Sequence, residues 1–153
     1  MKIIEGGYSC SKLKFAIVLS KYNEFIGQKL LIGALDCLKQ YECHEDNIVV
    51  VKVPGAFEIP LAAAKLAENW KYNAIICLGA VIRGATPHFD YVAEVTSRGI
   101  SEISLKYKIP VTFGLLTTNN VEQAIERSGS KAGNKGWEAA LTAIEMADLM
   151  SKL

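Results

Sequence analysis

The chain has 153 residues, half of them hydrophobic, which suffices for one well-buried core and is short for two domains, so a single domain over residues 1–153 is expected. A formal charge of +1 and an isoelectric point near 7.6 give no field for nucleic acid or an anionic membrane. The apolar runs are strand-length or interrupted by charge, so none reads as a membrane span. The start, Met1-Lys2-Ile3-Ile4-Glu5-Gly6-Gly7, lacks the apolar core of a secretory signal, which makes a cytoplasmic protein the expectation.

Strand-like and helix-like segments alternate along the chain without a linker. Residues through Ser9 fit none of these units and could pair elsewhere, for example with another subunit's sheet edge. Phe15-Ala16-Ile17-Val18-Leu19 is a β-rich run, and Ile26 to Lys39 carries apolar residues at helical spacing (Ile26, Leu30, Leu31, Ala34, Leu35, Leu38). Ile48 to Val53 predicts a strand and Ile59 to Trp70 a helix, with Pro60 tolerable in its first turn. Ala74 to Leu78 predicts a buried strand opening into a loop from Gly79 to Asp90, followed by a helix from about Tyr91 to Tyr107. Pro110 punctuates before the run Val111 to Leu116. Helices over Val121–Arg127 and Gly136–Leu149 close the chain. Four nearly continuous apolar strands predict a four-stranded parallel sheet with helices on both faces, an α/β three-layer sandwich of flavodoxin-like kind.

In such a sheet ligands bind beyond the carboxyl ends of the strands. The Gly79 to Asp90 stretch offers two glycines, Thr86, Arg83 and His88, one of two histidines in the chain. Gly79 and Gly84 match the glycine spacing of a nucleotide phosphate loop, but Ala85 and Thr86 stand where lysine and a metal-binding hydroxyl are needed. What remains is a small anion or polar ligand beside a histidine able to move protons. Further clusters follow the other strands: Ser20 to Glu24, Pro54 to Glu58, and Phe113 leading to Thr117 and Thr118. Tyr22 and Phe57, with Phe113, suit a flat heterocycle; each ring taken alone is more often core, and only their shared sheet edge makes a pocket competitive.

Cys10, Cys37, Cys43 and Cys77 form no CxxC pair, and they read as reduced thiols, Cys37 and Cys77 acting as small hydrophobes. Cys43-His44 hints at a metal pair, but the surrounding Glu42, Glu45 and Asp46 are more simply a solvated turn, and no metal site is expected. The terminal Ser151-Lys152-Leu153 spells a peroxisomal address and reads instead as a frayed helix end.

Several motifs together resemble the lumazine synthase family of riboflavin biosynthesis. They are Val53-Pro54-Gly55-Ala56-Phe57-Glu58-Ile59-Pro60, Leu78-Gly79-Ala80-Val81-Ile82-Arg83-Gly84 running to His88-Phe89, Phe113-Gly114-Leu115-Leu116-Thr117-Thr118, Glu122 to Arg127, and Lys131-Ala132-Gly133-Asn134-Lys135-Gly136. They cover nearly the whole chain in order. The resemblance implies condensation of 5-amino-6-(D-ribitylamino)uracil with 3,4-dihydroxy-2-butanone 4-phosphate to 6,7-dimethyl-8-ribityllumazine, with release of phosphate and water. It implies that the pyrimidine stacks on Tyr22 and meets Ala56, Phe57, Glu58, Ala80, Val81, Ile82 and Phe113. The phosphate then falls to Gly84, Ala85, Thr86 and Arg127, with Lys135 as a further contact, and His88 transfers protons between the two ligands. No cofactor is implied. Arg127 could instead complement its helix dipole, Arg83 and Lys135 could be solvated charges, and Glu58 could be a helix N-terminal carboxylate. Tyr22 departs from the family's usual phenylalanine or tryptophan. A flavin or lumazine binder without catalysis would use the same rings and have no need of His88 with Arg127. The resemblance also implies pentamers, a hollow icosahedral shell built of them, and riboflavin synthase as a partner inside it. The uninterrupted link from Gly129 to Gly136 is the form associated with shells.

Overall fold

A computed structural model describes residues 1–129 and 133–153. Four strands, β1 (Phe15–Ser20), β2 (Ile48–Val53), β3 (Ala74–Ile82) and β4 (Val111–Thr118), form one parallel sheet in the order β2-β1-β3-β4. The helices are α1 (Glu24–Gln40), α2 (Ile59–Glu68), α3 (His88–Tyr107), α4 (Val121–Arg127) and α5 (Lys135–Met150). This is the expected three-layer flavodoxin-like sandwich. Strands β1 and β3 are buried along nearly their whole length, which is why their sequences are almost continuously apolar.

Each sheet face has its own core. Alternation along a strand sends Phe15, Ile17 and Leu19 to the α1/α5 side with Leu30, Leu38 and Ile144, and sends Ala16 and Val18 to the α2/α3 side with Ile59, Ala63 and Ile100. The α1–α5 contact is close because Gly136 lies against the backbone of Leu30, where no Cβ would fit. Asn134 secures the same joint. Its side-chain oxygen accepts from the Trp137 N–H at 3.1 Å to cap α5, while its amide donates to Lys29 O at 3.0 Å.

The elements differ from expectation at several points. Strand β3 runs four residues beyond Leu78, to Ile82, and α3 begins at His88 rather than near Tyr91. Gly79 is therefore mid-strand: a Cβ there would stand 2.9 Å from Ser20 Cβ and 3.1 Å from Leu115 Cδ1, so packing and not ligand approach requires glycine. Cys10 and Cys43 are not free thiols but a disulfide with Cα atoms 5.1 Å apart. Parallel topology explains it, because Cys10 precedes β1, Cys43 precedes β2, and paired parallel strands begin at the same end of the sheet. Cys37 and Cys77 are buried and free of disulfides, and burial pushes the Cys77 thiol up to about 12.

Residues 5–8 lie along α5 and its C-terminal end in their own chain. The Gly7 N–H donates to Asp148, Tyr8 Oη to Glu145 at 3.2 Å, and Lys152 Nζ to Glu5 O at 2.9 Å. Helix α5 ends at Met150 and the last three residues are exposed, Lys152 reaching the N-terminal segment through its side chain. The link motif spanning Gly129 to Gly136 falls partly on residues 130–132, outside the described residues. Among the described residues no helix is long and apolar enough to cross a membrane.

Candidate active site

Three strand ends build one cavity of about 520 Å³, within the range of small-molecule sites. It is lined by Tyr22 and Asn23 after β1, by Gly55 to Glu58 after β2, by Ala80, Val81, Ile82, Gly84 and Thr86 at the end of β3, and by His88, Phe89 and Val92 of α3. Most of the sequence-predicted site residues are therefore together. Tyr22 and Phe57 are 72% and 58% exposed, which disposes of the core reading for both rings: they border the cavity and can give a flat ligand its stacking faces.

Backbone hydrogen bonds hold this rim in place. Lys21 N donates to Val53 O at 2.8 Å and Tyr22 N to Pro54 O at 3.2 Å, joining the ends of β1 and β2 beyond the ladder. Asn23 sits in the left-handed region at φ 59°, a conformation asparagine tolerates, and its amide donates to Ala80 O at 3.0 Å. Thr96, fully buried on α3, donates to Ala56 O at 3.1 Å and so fixes the 3₁₀ turn Ala56–Glu58. Glu58 is half-buried at the N-terminus of α2 and makes no side-chain cap bond, leaving its carboxylate at the cavity.

The loop after β3 is open. Gly84 has no atom near the position of a Cβ, and residues 83–88 are exposed. Thr86 and His88 face the cavity, His88 as the first residue of α3. Ala85 lies on the same loop. An imidazole offers two ring nitrogens for hydrogen bonding, and that of His88 lines the same cavity as the loop and the aromatic rings.

Three predicted site residues stand elsewhere in the subunit. Phe113 is not at the carboxyl end of β4: it pairs with Cys77, whereas Thr118 pairs with Ile82 at the cavity end of the sheet. A register difference of five residues is about 16 Å along a strand, so one subunit cannot bring Phe113 to Tyr22 and Phe57. Phe113 lies instead on the outer edge of the sheet and shares a second cavity, of about 360 Å³, with Lys135 and Glu138 of α5. Lys135 is paired there with Glu138 at 2.7 Å. Arg127 ends α4, exposed, and among the described residues its guanidinium makes one hydrogen bond, to Gln123 O at 3.4 Å. A larger concavity of about 780 Å³ between α1 and the α4–α5 link contains none of the predicted site residues.

The sequence reading left Asn23, Gly55, Phe89 and Val92 out of the site, and Thr96 behind it. Val92 was findable once α3 is taken to start at His88, since positions four apart share a helix face. Thr96 continues that spacing by one more turn.

Comparison with known proteins agrees with the motif reading. The family model described as 6,7-dimethyl-8-ribityllumazine synthase matches residues 12–151. Two relatives from Clostridium kluyveri, each described as 6,7-dimethyl-8-ribityllumazine synthase, are 58% identical over 153 residues, spanning 100% of this chain and 99% of the relative. With a match over nearly its whole length, the chain belongs to the 6,7-dimethyl-8-ribityllumazine synthase family and is an enzyme of that family.

Proposed function

We propose that the enzyme condenses 5-amino-6-(D-ribitylamino)uracil with 3,4-dihydroxy-2-butanone 4-phosphate, giving 6,7-dimethyl-8-ribityllumazine, phosphate and water. The observation that carries this reading is the cavity that holds Tyr22, Phe57, Thr86 and His88 together at the carboxyl ends of three parallel strands. The pyrimidine stacks on Tyr22 and is read by the backbone of Ala56 to Glu58 and Ala80 to Ile82. The butanone phosphate lies toward Gly84, Ala85 and Thr86, with its ketone facing the pyrimidine's 5-amino group.

Condensation starts with attack of that amine on the ketone and loss of water to an imine. Loss of the C3 proton then expels phosphate from C4, the resulting enol takes a proton at C4 to become a methyl ketone at C3, and the ribitylamino nitrogen closes the second ring on that new carbonyl with loss of water. The condensations move protons between nitrogen and oxygen and the elimination takes one from carbon, and we assign these transfers to His88. Holding the two reactants face to face supplies most of the acceleration, since positioning alone can be worth about 7–11 kcal/mol. The phosphate charge would hold the substrate inside the cytoplasm, where we place the reaction.

The same reading makes the site a shared one. Phe113, Lys135 and Arg127 lie away from the cavity in their own subunit, with Phe113 and Lys135 at the β4 edge, so they are available to complete a neighbour's cavity. We take the assembly to be a ring of five subunits, with rings joined in an icosahedral shell that can enclose riboflavin synthase. Mixing the two substrates with the purified protein tests the reaction directly. Lumazine absorbance should appear in proportion to enzyme, and a protein that binds the pyrimidine without turnover would refute it. Light scattering that finds only free pentamers in every buffer would refute the shell.

A further inference from the structure

Arg83 looks like a solvated charge in the sequence, and the structure gives it three partners. Its Nε donates to Asn119 Oδ1 at 3.2 Å, its Nη1 pairs with the Asp90 carboxylate at 3.2 Å, and its guanidinium carbon lies 4.4 Å from the centroid of the Phe89 ring. Its backbone N–H donates to Thr118 O at 2.8 Å, one residue beyond the last ladder pair, so its own position is fixed by β4.

Those partners lie on both sides of the open loop. Asp90 and Phe89 follow His88 on the first turn of α3, while Asn119 sits in the turn between β4 and α4. Among the described residues the side chains of Thr86 and His88 make no hydrogen bond, and Gly84 touches nothing with a Cβ direction. The loop from Gly84 to Pro87 is therefore held at its ends, and Arg83 with Asp90 closes it. Asn119 continues the chain: its N–H donates to Gln123 Oε1 at 2.8 Å, and Gln123 O accepts from Arg127. A planar fork of donors that also stacks on a ring suits this place, and a lysine cannot fill all three roles.

We propose that Arg83 is a positioning residue: it does not bind the substrate phosphate but clasps Asn119, Asp90 and Phe89 so that the Gly84–Thr86 loop and His88 hold the geometry that receives the phosphorylated substrate. The proposal rests on the function proposed above. It differs from the reading of Arg83 as a direct anion ligand in the sign of one effect. Removing the Asp90 charge would free a direct ligand and remove a nearby negative charge, which tightens phosphate binding. Under the positioning role the same change loosens the loop and weakens it.

The test uses Arg83→Gln, Arg83→Lys, Asp90→Asn and Asn119→Ala in the assembled enzyme, with steady-state kinetics in each substrate and amide hydrogen exchange at Ala85, Thr86 and His88. Arg83→Gln should raise KM for the butanone phosphate roughly tenfold and leave the pyrimidine KM within about twofold, with Arg83→Lys restoring only a minor part. Asp90→Asn and Asn119→Ala should raise the same KM by smaller factors, and all the glutamine, asparagine and alanine variants should speed exchange in the loop. A lower phosphate-substrate KM in Asp90→Asn overturns the proposal, as does loop exchange equal to that of the unaltered enzyme, or faster exchange with KM unchanged. Should the unaltered enzyme fail to turn over the two substrates, the proposed function falls, and loop exchange alone then decides whether Arg83 holds the loop.

Discussion

Opening the Cys10–Cys43 disulfide should destabilise the fold by an amount that its placement sets. The two cysteines are 33 residues apart, and the loop they close contains β1 and α1, which together supply much of one core. Closing a loop of that length in the unfolded chain removes entropy equivalent to about 3.7 kcal/mol at 25 °C in the chain-entropy model. For a chain of this size about 1 kcal/mol corresponds to roughly 2–4 °C, so reduction should lower Tm by roughly 7–15 °C. The assay is thermal unfolding with and without a dithiol reductant at one fixed protein concentration, because assembly makes Tm concentration-dependent. A Cys10→Ser, Cys43→Ser double variant should unfold near the reduced protein and ignore the reductant, and a non-reduced peptide map should contain the 10–43 cross-link. Equal Tm values in both conditions, or free thiols at both positions in air-oxidised protein, would refute the reasoning. In a reducing cytoplasm the pair would be held open, so the two forms differ in how firmly the N-terminal residues are tied to the α1–β2 turn.

Gly136→Ala should destabilise by roughly 1–3 kcal/mol in urea unfolding, because its Cβ meets the Leu30 backbone, which cannot move aside as a flexible side chain could. Asp148 is held below the usual carboxylate range by its hydrogen bond from Lys152 and then by the Gly7 N–H. A lowered folded value means the contact contributes fully above the ordinary carboxylate pKa and is lost as pH falls through the lowered one; protection of the Gly7 amide should therefore persist to acid pH and then fail, and Asp148→Asn should weaken it already at neutral pH. If Arg127 holds the phosphate as proposed, Arg127→Ala should remove a charge-assisted contact of about 1.5–3 kcal/mol, roughly 10- to 150-fold in kcat/KM, acting through the butanone phosphate and hardly through the pyrimidine. His88→Ala should cost no more than that, near or below the low end of the roughly 10²–10⁴-fold typical of proton transfer; abolished turnover in His88→Ala with an unchanged butanone phosphate KM in Arg127→Ala would reverse the ranking.

The fold was readable because parallel strands covered on both faces leave continuous apolar runs, as in Phe15 to Leu19 and Ala74 to Leu78. The limit of β3 was not. Gly79 looks like a loop glycine in one dimension and is a packing glycine against Ser20 and Leu115 in three. The cavity was legible wherever its residues follow a strand end, as Tyr22, Phe57 and His88 do. Phe113 misled because the strand end was judged from the start of a run, whereas the ladder register places it beside Cys77. The disulfide left no trace in spacing, since only the pairing of β1 with β2 brings residues 10 and 43 together. Arg83 was unreadable for the same reason: Asn119 is distant in sequence and adjacent only through the β3–β4 ladder.

The central claim is that each site takes His88 from one subunit and Arg127 from the next, and mixed assembly tests it most directly. His88→Ala and Arg127→Ala chains, each weakly active alone, are co-expressed in equal amounts and assayed as purified assemblies for lumazine formation. In a ring with one such interface per subunit, random mixing leaves roughly a quarter of the sites with both groups intact, so activity should rise to roughly a quarter of the unaltered enzyme's. Activity no greater than the mean of the two parents, in assemblies shown to contain both chains, would contradict a shared site.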